Sequence, residues 1–342
     1  MTETAYVETA GTIRVPGWEI PAALTVPSSL EPGESLPSAI LLVPGSLFSD
    51  VNGDYPSWNV FPHVYAHLAR QLTARGHAVL RFAKLGPGTG SVPTDPEVAA
   101  TIRTWDGRVT IAGAALDFMR VMLAERGLQT ARTVVAGHSE GSIVASRLAV
   151  SVRAAELDGI VLLAGPSVGI LGIMREQVAF GLAPGEIDDV RARLDRVIEY
   201  VRRGEVVPAE LGEGPGMGIR ALISMPEEGR RYMREVDATD PIDLARCMTQ
   251  AVLVVQGGND SSVPPHHGEA LRDALCSRPD GGTRTSYEFV PDVTHMFKVV
   301  PATLSGPEAF GYPGETDPRV ADGIDHWVRR LGAADLGSDP NS

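Results

Sequence analysis

The sequence predicts an α/β protein with a mostly parallel, doubly wound sheet of eight strands, and three observations carry that expectation. Largely apolar runs such as Ala39–Val43, Ala78–Phe82, Thr133–Ala136, Leu157–Ala164 and Ala251–Val255 alternate with stretches of helical periodicity, the pattern of strands buried on both faces. The pentapeptide Gly137-His138-Ser139-Glu140-Gly141 sits where one such run gives way to a helix. Asp260 and His295 each follow a later strand. Three chemically capable side chains therefore fall in loops past the C-terminal ends of strands, where open α/β sheets place their sites.

Taken in order, Tyr6 to Val26 reads as two antiparallel strands meeting near Pro16-Gly17, and the Ser-, Pro- and Glu-rich segment 27–37 reads as a loop. The third strand ends at Pro44-Gly45-Ser46. The polar stretch Ser49–Pro56 is either a solvated connector or part of a site rim. Its aspartates lack the terminal Glu of a calcium loop. His63 and His67, four apart, have no evident third ligand, so no metal is assigned. The fourth strand leads into Gly86-Pro87-Gly88-Thr89-Gly90, which lacks both the Walker ending and the dinucleotide spacing and reads as a tight turn. Trp105–Arg126 and Ser142–Val150 read as helices. Gly165–Ala245 breaks the alternation, with an amphipathic helix over Glu186–Val201 (Ile187, Val190, Leu194, Val197, Ile198, Val201) and a second apolar stretch through Ile170, Leu171, Ile173, Met174, Val178 and Phe180. The expected organisation is a core of 1–165 and 246–332, a helical cap of 166–245 inserted after the sixth strand, and a polar, disordered tail of 333–342. The final helix is expected over about Pro318–Leu331.

A serine hydroxyl is a poor nucleophile near neutral pH and needs a base, which in turn needs an orienting group. Gly-x-Ser-x-Gly between a strand and a helix holds such a hydroxyl proud of the sheet, and its partners follow in the order Ser, Asp or Glu, His. Ser139, Asp260 and His295 satisfy that order. Asp292 lies only three residues before His295 and is the less favoured acid. His138 adjoins the nucleophile and reads as a strand-end neighbour, while His266 and His267, after Pro264-Pro265, are expected to be exposed.

The chain resembles the α/β-hydrolases, in particular the bacterial esterase branch related to serine-aminopeptidase-like and lysophospholipase-like enzymes. The matching residues are Leu42-Val43-Pro44-Gly45-Ser46, Leu80-Arg81-Phe82-Ala83-Lys84-Leu85-Gly86-Pro87-Gly88, the pentapeptide, Val254–Asp260 and Val293-Thr294-His295-Met296-Phe297-Lys298. The resemblance implies the α/β-hydrolase fold, places Asp260 as the orienting acid, and makes the backbone N–H groups of Ser46 and Glu140 the oxyanion donors. The Glu140 carboxylate is expected to be incidental. Ala83 and Leu85 stand where that branch carries Asp and Arg, so an ion pair is expected to be missing from this loop.

The function expected is hydrolysis of an ester or thioester of an apolar acyl group, with no cofactor and no metal. One alternative is a non-hydrolytic enzyme of the same fold (a cyclase, acyltransferase or lyase); another is a non-catalytic ligand-binding member. A formal net charge of −13 argues against nucleic acid and anionic membrane as partners. Only Cys247 and Cys276 are present; they are expected to be buried or half-buried thiols of a reducing compartment. With no basic-then-apolar leader and no apolar stretch of about 20 residues, a cytoplasmic location is expected. Oligomeric state is left open.

Overall fold

A computed structural model describes residues 6–30, 34–179, 182–304 and 306–334. Its strands β1 (Tyr6–Val15), β2 (Trp18–Pro27), β3 (Ala39–Val43), β4 (Ala78–Phe82), β5 (Thr133–His138), β6 (Gly159–Leu163), β7 (Ala251–Gly257) and β8 (Thr285–Val290) form one sheet in the spatial order β1-β2-β4-β3-β5-β6-β7-β8. The β1–β2 and β2–β4 pairs are antiparallel and the other five parallel. The order reverses beside β3, so the loops after β3 and β5 open into one crevice. Val92–Pro93 adds a two-residue strand beside β2. Ser35–Leu36, in the stretch read as loop, pairs with Gln129–Thr130 in a separate two-stranded ladder.

The helices that shape the fold are α1 (Val64–Thr73), α2 (Trp105–Ala124), α3 (Glu140–Ala149), α4 (Ile170–Glu176), α5 (Ile187–Arg203), α6 (Met217–Ser224), α7 (Glu227–Asp237), α8 (Pro241–Cys247), α9 (Pro265–Cys276) and α10 (Pro318–Ala334). The period of two along β3 separates two cores. Ile40 and Leu42 join Leu68, Ile324 and Trp327 under α1 and α10, while Leu41 and Val43 join Leu116, Ile143 and Leu148 under α2 and α3. All residues of β3, β4, β6 and β7 are buried, which is why these strands read as largely apolar runs, broken only by the buried Arg81 and Gln256.

Helices α4–α7 are inserted between β6 and α8. The stripe predicted for α5 is the buried one, with Val190, Leu194, Val197, Ile198 and Val201 inward, and the helix closes at Gly204 with φ 70°. Helix α8 packs against α3 and α9 of the core. Phe180 lies outside the described residues. So does the tail beyond residue 334, to which the last helix runs. Cys247 and Cys276 are both exposed and free, contrary to expectation. Each is the final residue of its helix, where the side chain has left the packed face.

The backbone crossing at β3, β5 and α3 leaves no room for side chains. A Cβ on Gly137 would lie 2.1 Å from the Gly141 carbonyl oxygen, and one on Gly141 would lie 2.4 Å from that of Val43. Gly141→Ala is therefore expected to cost about 1–3 kcal/mol through overpacking, seen as a lower urea midpoint at unchanged slope. A midpoint equal to that of the parent protein would contradict this crossing.

Candidate active site

Three loops on one edge of the sheet meet at Ser139. It has φ 54° and ψ −125°, between the end of β5 and the first turn of α3. Positive φ is rare outside glycine and costs of order 1–3 kcal/mol, and it persists where surroundings over-determine it. Here Ser139 N–H donates to Leu163 O at 2.8 Å, and Ser142 N–H closes onto Ser139 O at 2.9 Å. The side chain stands partly exposed between buried neighbours.

His295, in the loop after β8, places Nδ1 2.8 Å from Asp260 Oδ2. The other carboxylate oxygen of Asp260 accepts the N–H groups of Ser262 and Val263 at 2.9 and 2.8 Å. Both side chains are buried. Asp292 instead is exposed and pairs with Arg319 at 2.7 Å. The ring of His138, immediately before Ser139, lies 4.7 Å from that of His295. No hydrogen bond joins Ser139 Oγ to His295 among the described residues.

The loop after β3 approaches the serine closely, since a Cβ on Gly45 would lie 3.1 Å from Ser139 Cβ. Two neighbouring donors are engaged: Gly45 N–H by the Tyr65 hydroxyl at 2.8 Å, and Ser139 N–H as above. The N–H groups of Ser46 and Glu140 have no protein acceptor among the described residues. Their side chains are tied to each other, Ser46 Oγ donating to Glu140 Oε2 at 3.2 Å.

The Glu140 carboxylate is not incidental. It is buried and accepts from Lys84 Nζ at 3.1 Å and from the Tyr232 hydroxyl at 2.8 Å, with Arg108 Nη2 at 3.4 Å. Arg108 Nη2 also donates to Pro44 O at 2.7 Å. Burial would raise the carboxyl's pKa, but Lys84, Arg108 and the Tyr232 hydrogen bond bring it down to about 2. Burial together with Arg108 pushes Lys84 down to about 8, against the pull of Glu140. The β4 loop has no Asp–Arg pair at Ala83 and Leu85, but it is not without an ion pair. Lys84, lying between Ala83 and Leu85, supplies the cation, and its partner is on α3. Tyr232 comes from α7, so the cluster also ties the inserted helices to the turn at Ser139.

A second tie lies at the acid loop. Glu176 at the end of α4 is 3.1 Å from His267 Nε2 and 3.3 Å from His266 Nε2, and Gln177 donates to Ser262 O at 2.7 Å. His266 is exposed, but His267 is fully buried, contrary to expectation, because the inserted helices cover it. Glu176, His266 and His267 are close enough together to hold a metal ion. However, His267 Nδ1 accepts the Ser167 N–H at 3.2 Å, which leaves Nε2 to carry the proton aimed at Glu176. Both ring nitrogens are then used within the protein.

Sequence reasoning did not single out Tyr65, Arg108 or Tyr232. None stands in a motif, and each reaches the site from a separate helix. Neutralising Glu140 strands two buried cations, so Glu140→Gln is expected to cost about 3–5 kcal/mol near pH 7. A carboxyl whose pKa falls on folding stabilises above its ordinary value of 4.5 and loses that contribution as pH drops toward 2. The gap between parent and variant in urea unfolding is therefore expected to narrow over that window; a constant gap would contradict the assignment.

The comparisons agree with this architecture. A model of the alpha/beta hydrolase family matches residues 40–310. No curated protein matches the sequence. Among solved structures, Est1E from Butyrivibrio proteoclasticus is similar, with TM-score 0.54 and 15% identity over 95% of this chain and 99% of that one. A Pyrococcus furiosus esterase gives 0.55 and 12% over 96% and 92%. Proline iminopeptidase from Mycobacterium smegmatis gives 0.54 and 18% over 96% and 100%. The sheet order and the strand-to-helix turn at Ser139 are those of an α/β-hydrolase fold. The chain belongs to the alpha/beta hydrolase family. No described helix is long and apolar enough to cross a membrane.

Proposed function

We propose that this hydrolase is a serine esterase or thioesterase acting through an acyl-enzyme. The observation that carries the reading is the strained Ser139 set beside a buried His295–Asp260 pair of 2.8 Å. In this mechanism Ser139 Oγ attacks the acyl carbonyl while His295 takes its proton. Asp260 holds the imidazole tautomer and stabilises the imidazolium, and the alcohol or thiol leaves with the proton returned by His295. Water then repeats the sequence and releases the acid. The Ser46 and Glu140 N–H groups are the proposed oxyanion donors; one such donor is worth about 2.7–4 kcal/mol in the transition state. The Ser139–His295 contact would close in the substrate complex, since catalytic hydrogen bonds are often long in ligand-free sites.

Two features favour an apolar acyl ester over a peptide. Leu47 and Phe48, immediately after Ser46, are each 40% exposed beside the crevice. Glu140, the buried acid next to the nucleophile, is saturated by Lys84, Arg108 and Tyr232, which leaves no free negative charge there to anchor a substrate amino group. The test is turnover of a chain-length series of esters and thioesters against amino-acid amides, with the free acid quantified. Acid release from the esters is expected, and Asp260→Asn is expected to lower kcat by about 10⁴-fold. Cleavage of the amides alone, or product without free acid, would contradict the proposal.

A further inference from the structure

We propose that Tyr65 and His138 are positioning residues, joined in a hydrogen-bond wire of fixed polarity that holds the oxyanion loop, the nucleophile turn and the His295 backbone in one register. The inference deepens the serine-hydrolase reading above and rests on it.

The wire runs from Gly45 N–H to the Tyr65 hydroxyl at 2.8 Å, from that hydroxyl to His138 Nδ1 at 3.1 Å, and from His138 Nε2 to the His295 carbonyl at 3.0 Å. Its two ends settle every direction. A backbone N–H can only donate, so the Tyr65 oxygen accepts from Gly45. A carbonyl can only accept, so His138 Nε2 carries a proton toward His295. In the neutral ring Nδ1 is then an acceptor and takes the Tyr65 proton. Burial and the neighbouring His295 hold the His138 pKa at about 3, so the ring stays neutral across the working pH range. Every group in the chain is buried, and each has the partner its chemistry demands.

The groups joined are the ones whose relative placement decides the chemistry. Gly45 precedes Ser46, His138 precedes Ser139, and the carbonyl belongs to His295 itself. Tyr65 is in turn fixed at the start of α1 by the polar loop that the sequence left open between connector and rim. Its own N–H donates to Asn52 O at 3.0 Å. Asp50 Oδ1 takes the N–H groups of Asn52 and Asp54, and Asp54 Oδ1 takes that of His63 at 2.7 Å. The aspartates of that loop thus hold the backbone, with Asp54 Oδ2 also 2.7 Å from His63 Nδ1, as a platform that presents the Tyr65 hydroxyl.

Two measurements test the wire. In the folded wild-type protein, nitrogen chemical shifts of the His138 ring are expected to report the Nε2–H tautomer between pH 5 and 8; an Nδ1–H tautomer would overturn the proposal. Tyr65→Phe keeps the ring and removes the link, and a small misplacement of reacting groups can cost about 10²-fold in rate. In a variant whose circular dichroism and urea midpoint show it folded, kcat on the best ester is expected to fall by about that factor with KM little changed. An unchanged kcat in folded Tyr65→Phe sinks the positioning role. A wild type that turns over no ester sinks the hydrolase reading, and the positioning role with it.

Discussion

A serine held at positive φ between a strand and a helix is the constraint on which the rest of this structure depends. The conformation is unfavourable in isolation, so the surroundings must enforce it. Gly137 and Gly141 let three backbone segments touch there, and Leu163 and Ser142 lock the turn by hydrogen bonds. Leu47, Ala164 and Phe297 also have positive φ, and each lies in a loop following β3, β6 or β8. Strain is thus gathered along the edge of the sheet that carries the candidate site, while the buried strands beneath it supply the stability that holds it.

The electrostatic design has the same centre. Lys84 and Arg108 place two buried cations around one carboxylate, Glu140, in the residue directly after Ser139. Burying charge is costly unless it is paired and hydrogen-bonded, so such a cluster is weak evidence for stability and better evidence for specifying a geometry. Here it specifies two at once. Ser46, in the loop after β3, is tied to Glu140, and Tyr232 brings α7 down onto the same carboxylate. With the Glu176 and Gln177 contacts at the acid loop, the inserted helices grip the core on both sides of the crevice.

Much of this was legible in the sequence because the relevant signals are local. Largely apolar runs identify strands buried on both faces, and a Gly-x-Ser-x-Gly turn announces its own geometry through the glycines. The chain order of Ser139, Asp260 and His295 follows from topology, and the three-residue spacing from Asp292 to His295, with the family match at Gly257–Asp260, favoured Asp260. What the sequence could not convey is pairing at a distance. Glu140 looked incidental because its partners come from positions 84, 108 and 232. His267 looked exposed because helices inserted far upstream cover it. The cysteines looked buried because composition says nothing about where in its last turn a helix residue points. Tyr65 carries no local signal; its role exists only once α1, β3 and β5 are assembled.

The central claim, that Ser139 is an activated nucleophile, is tested most directly by intact-mass analysis after exposure to a fluorophosphonate, followed by peptide mapping. The account predicts a single adduct on Ser139 and none on Ser139→Ala. A folded wild-type protein that takes up no adduct, or takes it up elsewhere, would contradict it.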